Sequence, residues 1–364
     1  MTQNILEAHH ISKIRTLPVR IRYPRLVGKN ARLGIHGTGP TSQVRVITTD
    51  RGAVGWGISW TKEQDMPNLI GKSIAELFNP ETGIIDKEAM PLDFPLHDLA
   101  GVILNQPVYE MLGSYGETVV QCYDGAIYMD DILPEDNPRG IEAVLENCRY
   151  DYELGYRAFK LKIGRGYKWM EAEAGLQRDI EVTQKVHENF PDCRILVDAN
   201  DGYTCDGFLR YLDAVADCEL FWIEEPFREN RDDLIRLREF LEKFSPNTLI
   251  ADGESGYDIE FLFELVHEGL LDVLIMDIAG LGFTNWRKLM PKLAEANVQA
   301  SPHTWGNPLK TLYASQLAAG LGNIVTLEGI PAESNDVDWD GYHLQEGSLY
   351  VPDKPGFGMK LNTL

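Results

Sequence analysis

Seven ionisable side chains, each closing a short apolar run, constrain this chain more than any other feature. They are Lys162, Asp198, Glu224, Glu254, Asp277, His303 and Glu328. The runs cover 158–163, 195–197, 220–223, 249–251, 273–276, 298–300 and 324–327, and an eighth, at 119–123, precedes them. Each has the length and β-forming composition of a buried strand, and amphipathic helical patterns such as 169–190, 205–217 and 231–244 lie between them. Alternating strand and helix implies a parallel sheet with helices outside it. After Asp198 the ionisable ends recur at intervals of 26, 30, 23, 26 and 25 residues, near the roughly 31 of an eight-unit barrel of about 250 residues. An open sheet would string these groups along an edge and gather only a few at its switch point. A closed barrel brings all of them to one mouth, so a barrel is the predicted fold.

The chemistry follows from which groups meet there. In Phe159-Lys160-Leu161-Lys162-Ile163-Gly164 the side chains alternate, so Lys160 and Lys162 share a face. Two buried ammonium groups need an anion opposite. Asp198, Glu224 and Glu254 supply more than enough, because three converging carboxylates cannot all stay ionised without a cation. Oxygen-only ligands favour a hard divalent ion, most simply one Mg²⁺ per site. Asp252 shares the face of Glu254 and could join it as a ligand or support it from behind, with Glu254, nearer the mouth, favoured. Asn200 is expected as a hydrogen-bonding support beside Asp198, and Glu225 on the opposite face, paired with a barrel helix or backbone. Lys162, beside a cation and a second lysine, is expected to have a lowered pKa suited to proton abstraction. His303 stands across the mouth with Asp277 placed to orient its imidazole. Glu328, in protonated form, and Lys160 would supply donors to developing oxyanions.

Composition narrows the partners. A net charge of -22 argues against a phosphate-binding nucleic-acid surface. Five scattered cysteines give neither a disulfide framework nor a zinc site, and no apolar run is long enough to span a membrane, so a soluble cytoplasmic protein is expected. Strands are expected at 14–21, 43–49 and 53–60, and mostly helix over 66–116. From Ala8 to Thr49 there is no Asp or Glu but eight basic residues, Lys13, Arg15, Arg20, Arg22, Arg25, Lys29, Arg32 and Arg45. That asymmetry suits either a lid, at about 22–40, gripping an anionic substrate or a positive face pairing with another subunit. Arg22, Arg25, His36, Asn200 and Trp305 are the substrate-binding candidates.

The ordered motifs FKLKIG, VDAN, WIEEP, ADGES, MDIAGLGF, SPHTWG and TLEG, with the helix-forming segment 91–113, resemble the mandelate racemase group of the enolase superfamily. The resemblance implies an α/β fold: a (β/α)7β modified TIM barrel at 118–330 under an α+β capping domain at 1–117. The segment 331–364 would return to the cap and complete it. It also implies Mg²⁺ on Asp198, Glu224 and Glu254, and Lys162 and His303 as the acid/base pair acting on the proton α to a carboxylate. Lys160 becomes an electrophilic or orienting group. With a basic, polar lid, dehydration of an acid sugar to a 2-keto-3-deoxy acid is the expected reaction. Racemisation or epimerisation of a 2-hydroxy acid is the alternative, then cycloisomerisation of a sugar acid or lactone, and last a non-catalytic sugar-acid-binding relative. A symmetric homo-oligomer is expected.

Overall fold

The structure, a computed structural model, describes residues 2–59 and 66–363. Strands Ile11–Arg20, Thr41–Thr49 and Val54–Ile58 form an antiparallel sheet in chain order. The expected third strand reached Trp60, which lies outside the described residues. Helix Asp93–Leu104 lies on this sheet so closely that a Cβ at Gly55 would sit 2.4 Å from the Leu99 backbone. Only glycine permits that approach. The helix is buried on every side from Asp93 to Gly101 because its far face meets the barrel and the tail. Its polar groups are spent there: Asp98 accepts the N–H groups of Trp56 and Phe357, and Asp93 accepts both the N–H and the hydroxyl of Thr284. The remainder of 66–116 is less helical than its apolar spacing suggests. Short turns and a two-stranded ribbon, Phe78–Asn79 with Gly83–Ile84, occupy 67–84, where Pro80 and Gly83 interrupt any helix.

Eight parallel strands make the barrel: Val119–Ile127, Ala158–Lys162, Arg194–Asp198, Trp222–Glu224, Leu249–Asp252, Val273–Leu274, Gln299–Ala300 and Leu327–Gly329. The register sets Lys162 beside Asp198 and Asp198 beside Glu224. Closure comes from a bridge between Ala300 and Ile324 and from pairing of Leu327–Gly329 with Cys122–Asp124. Seven crossover helices, Ile141–Glu153, Ala172–Asn189, Cys205–Ala214, Arg231–Phe244, Ile259–His267, Phe283–Glu295 and Pro308–Leu321, surround it. Thr204, Asn230, Asp258 and Asn307 cap four of them through side-chain oxygens. Tyr123, Leu196, Trp222, Ala251, Val273 and Ile275 form a separate apolar plug. Leu196 and Trp222 lie two residues before Asp198 and Glu224, so the plug fills the barrel interior directly below the acids.

The tail touches both parts. Ser348–Tyr350 pairs antiparallel with Val119–Gln121 of the first barrel strand. Asp336 accepts the backbone and guanidinium N–H groups of Arg20, and Val108 donates to Gly356. Among the described residues no helix is long and apolar enough to cross a membrane.

Candidate active site

Strand ends deliver the polar residues to the mouth, with Lys160 on its floor. Its Nζ lies 2.7 Å from Glu224 Oε1, 2.9 Å from Glu328 Oε1 and 3.4 Å from Asp198 Oδ2, and the residue is 1% exposed. Burial opposes the charge, but Glu224 and Glu328 override it and push the Lys160 pKa well up. Lys162 is ion-paired with Asp198 Oδ2 and sits over the Tyr128 ring. Burial works against the charge, but Asp198 outweighs both it and Lys160 and raises the Lys162 pKa; the lowering expected from the sequence depends on a cation beside it.

One carboxylate oxygen from each of Asp198, Glu224 and Glu254 lies within 4.8 Å of the other two. Burial, then the adjacent Asp198 charge, pushes Glu224 well above the usual carboxylate range. Asp198 is held below that range against burial by Lys162 and Lys160. Glu224 Oε2 and Glu254 Oε2 are buried without a hydrogen-bond partner. Three convergent oxygens, two with unsatisfied neighbours, fit a hard divalent cation such as Mg²⁺. Asp252 stands apart from this trio. Its Oδ1 accepts the Gly253 N–H at 2.6 Å, and after burial its strongest influences are Glu229 and Asp201. Glu225 does not leave the mouth as alternation would require. A left-handed backbone (φ 40°) breaks the pleat, its Oε1 accepts the Ser255 N–H at 3.3 Å, and it lies within the field of Glu254 and Asp198. Asn200 also turns left-handed (φ 44°) and supports Asp198 through its backbone N–H at 2.9 Å, while its side-chain oxygen is buried and unpartnered.

His303 flanks the other end of the trio. Its Nε2 lies 3.3 Å from Glu254 Oε1, and its Nδ1 donates to Asp277 Oδ2 at 3.0 Å. Asp277 caps the short helix Ile278–Leu281, its Oδ1 accepting the N–H groups of Ala279 and Gly280. Burial opposes its charge, but the His303 hydrogen bond and Lys310 hold it below the usual range. Glu328 accepts N–H groups from Thr304 at 2.7 Å and Trp305 at 2.8 Å and pairs with Lys160. Against burial, Lys160, His303 and the Thr304 N–H bring its pKa down to about 2. The protonated Glu328 expected from the sequence is therefore replaced by an ionised one.

The substrate-binding candidates divide. His36 and Trp305 join Tyr23 and Tyr128 in an aromatic wall, with Trp305 centroids 4.8 Å from Tyr128, 5.6 Å from Tyr23 and 6.0 Å from His36. His36 donates from Nδ1 to Gly28 O at 2.7 Å, and burial lowers its pKa, which leaves Nε2 an acceptor. Arg22 and Arg25 are corrections. Arg22 pairs with Glu333 in an external cleft, and Arg25 pairs with the buried Asp151. Arg20, Lys29 and Arg32 are likewise taken up by Asp336, Glu135 and Asp201. Five of the eight basic residues thus fasten the N-terminal segment to the barrel and tail, a third use that the sequence reading did not weigh.

Sequence reasoning passed over Lys310 and Gly125. Lys310 is the one charged residue in the buried helix Pro308–Leu321, and that isolation was its signal. Gly125 is what the first barrel strand contributes: a Cβ there would lie 2.7 Å from Glu328 Oε1 and 2.8 Å from its Cγ. No pattern in the sequence marks it.

Residues 143–363 match the family of enolase C-terminal domain-like proteins. Galacturonate dehydratase from Geobacillus sp., in complex with D-galacturonate and 5-keto-4-deoxy-D-galacturonate, is 31% identical with a TM-score of 0.90, covering 98% of this chain and 95% of its own. A mandelate racemase/muconate lactonizing protein from Geobacillus sp. Y412MC10, complexed with magnesium and tartrate, is 31% identical with a TM-score of 0.91, covering 99% and 94%. D-Xylonate dehydratase of Haloferax volcanii is 24% identical over 90% of this chain and 85% of its own length. With a closed barrel, an acidic trio and a lysine pair in place, the chain belongs to the enolase superfamily, in its mandelate racemase group.

Proposed function

We propose that this protein dehydrates a polyhydroxylated monocarboxylate, a uronate or aldonate, by removing the proton α to the carboxylate and expelling the β-hydroxyl. The observation that carries this reading is the placement of two proton carriers at opposite ends of one carboxylate trio, Lys162 against Asp198 and His303 against Glu254. The galacturonate dehydratase with a TM-score of 0.90 supports the substrate class. Asp198, Glu224 and Glu254 would hold Mg²⁺, which would supply positive charge for the substrate carboxylate and the developing enediolate and offset the Asp198 charge that keeps the proton on Lys162.

Lys160 presents a fixed ammonium to the same carboxylate from the floor, with Glu328 holding it in place. Lys162 takes the α-proton. His303 delivers its Nε2 proton to the β-oxygen as the C–O bond breaks, so water leaves; the enol then takes a proton at the β-carbon and gives up its O–H proton to solvent, becoming the ketone. Asp277 keeps the other ring proton on Nδ1 throughout. The aromatic wall of Tyr23, Tyr128 and Trp305 gives the sugar's C–H faces a surface to lie on, and His36 Nε2 an acceptor for a hydroxyl.

A panel of uronates and aldonates with Mg²⁺, assayed for keto-acid formation, tests the reaction. Lys162→Ala is expected to abolish both turnover and entry of solvent deuterium at the α-carbon. His303→Asn is expected to stop keto-acid formation while α-exchange continues. A stereoinverted product with no keto acid would replace dehydration by epimerisation.

A further inference from the structure

A buried lysine outside the strand-end set completes the support of His303. Lys310 lies on the first turn of the helix Pro308–Leu321, positioned by Asn307, whose side chain caps that helix at Leu309 N. Its side chain is 7% exposed, and its Nζ is ion-paired with Asp277 Oδ2, the same oxygen that accepts His303 Nδ1–H. The other oxygen, Oδ1, accepts the N–H groups of Ala279 at 2.9 Å and Gly280 at 2.8 Å. Both Asp277 oxygens are therefore occupied, and the carboxylate plane has no torsion left to explore. Without Lys310, Oδ2 would be held only by the imidazole it is meant to aim. A carboxylate anchored at one oxygen turns about the Cα–Cβ and Cβ–Cγ bonds, and the ring would follow it.

We infer that Lys310 is a positioning residue for the acid step. By fixing Asp277 Oδ2 it sets the direction in which His303 Nε2 points, and so the alignment of its proton with the departing β-hydroxyl. Among the described residues Lys310 is ion-paired with Asp277 alone, not with Asp198, Glu224 or Glu254. Its influence is therefore confined to one of the two proton transfers. This rests on the dehydration reading above, in which Lys162 works on the α-proton and His303 on the leaving group.

The test compares the Mg²⁺-loaded wild type with His303→Asn, Lys310→Met and Lys310→Arg. It follows kcat, KM, thermal midpoint and the rate of solvent deuterium entry at the substrate α-carbon. Lys310→Met is expected to lower kcat for keto-acid formation on the order of 10²-fold, the cost of about 1 Å of misplacement, with KM and α-exchange near wild type. Lys310→Arg keeps a charged donor in the same place and is expected to recover most of the loss. If Lys310→Met does not fold, Lys310→Gln carries the same expectation for kcat. A lowered thermal midpoint with unchanged kcat, or parallel losses of α-exchange and kcat, would reduce Lys310 to a structural ion pair and overturn the inference. If His303→Asn matches wild type, the dehydration reading itself fails and takes the inference with it. A normal Lys310→Met beside a dead His303→Asn sinks only the inference.

Discussion

Gly125→Ala places a methyl group where the structure has no room. The new Cβ would stand 2.7 Å from Glu328 Oε1, 2.8 Å from Cγ and 3.1 Å from Cδ. An ordinary contact needs about 3.4 Å or more, so Glu328 must retreat by at least about 0.7 Å. It cannot do so freely. Thr304 and Trp305 hold its Oε2 at 2.7 and 2.8 Å, and Lys160 holds Oε1 at 2.9 Å. The same displacement would stretch the Lys160 contact to about 3.6 Å, beyond hydrogen-bond reach. Lys160 would then lean towards Glu224 and Asp198, away from the substrate carboxylate it is placed to meet. Overpacking of this kind costs about 1–3 kcal/mol of stability, which a chain of this size tolerates. The expected kinetic loss is larger, on the order of 10–10² in kcat/KM, because a catalytic floor has moved by most of an ångström. Steady-state kinetics on an active acid sugar, with a melting curve on the same sample, measure both. A folded Gly125→Ala enzyme with wild-type kcat/KM would refute the claim that Glu328 is held too tightly to give way.

Two further outcomes follow from the charges. Burial and the Asp198 charge raise the Glu224 pKa, and a cation held by the trio would lower it, so proton release is expected to accompany binding. Chelated protein is expected to be inactive, and adding Mg²⁺ in weak buffer should release protons and restore activity; binding with no proton release would show that Glu224 is already ionised. The Glu328 pKa lies at about 2, below its unfolded value. Its contribution, on the order of 3 kcal/mol, is fully present above the ordinary carboxylate pKa and lost as pH falls from about 4.5 towards 2. In urea titrations Glu328→Gln should therefore cost stability at pH 7, with a gap to wild type that narrows below pH 4.5. A gap that widens on acidification would reverse the assigned sign.

The barrel and the metal trio were legible because both rest on short-range rules. A period of two puts Lys160 and Lys162 on one face, and the βα repeat carries Asp198, Glu224 and Glu254 to one rim. Partners distant in sequence were not legible. A run of cations at Arg20, Arg22 and Arg25 looks available until Asp336, Glu333 and Asp151 come beside it from 316, 311 and 126 residues away. The ionisation of Glu328 was misjudged for the same reason, since the N–H groups of Thr304 and Trp305 leave no trace in composition. A left-handed turn at Glu225 defeated alternation just where its strand ends, because the pleat that alternation assumes is broken there.

The tail strand Ser348–Tyr350 has a consequence for how the chain is made. One side of the first barrel strand is paired with the second, while the other is shared between Leu327–Gly329 and this late strand. During synthesis, seven strands can emerge and assemble while that flank still shows bare amide and carbonyl groups to its surroundings. Sealing waits until residues 327–350 have been made, and until then a nascent copy is open to edge pairing with a neighbour. Deletions that remove Ser348–Tyr350 should accordingly be judged by aggregation yield before they are judged by activity.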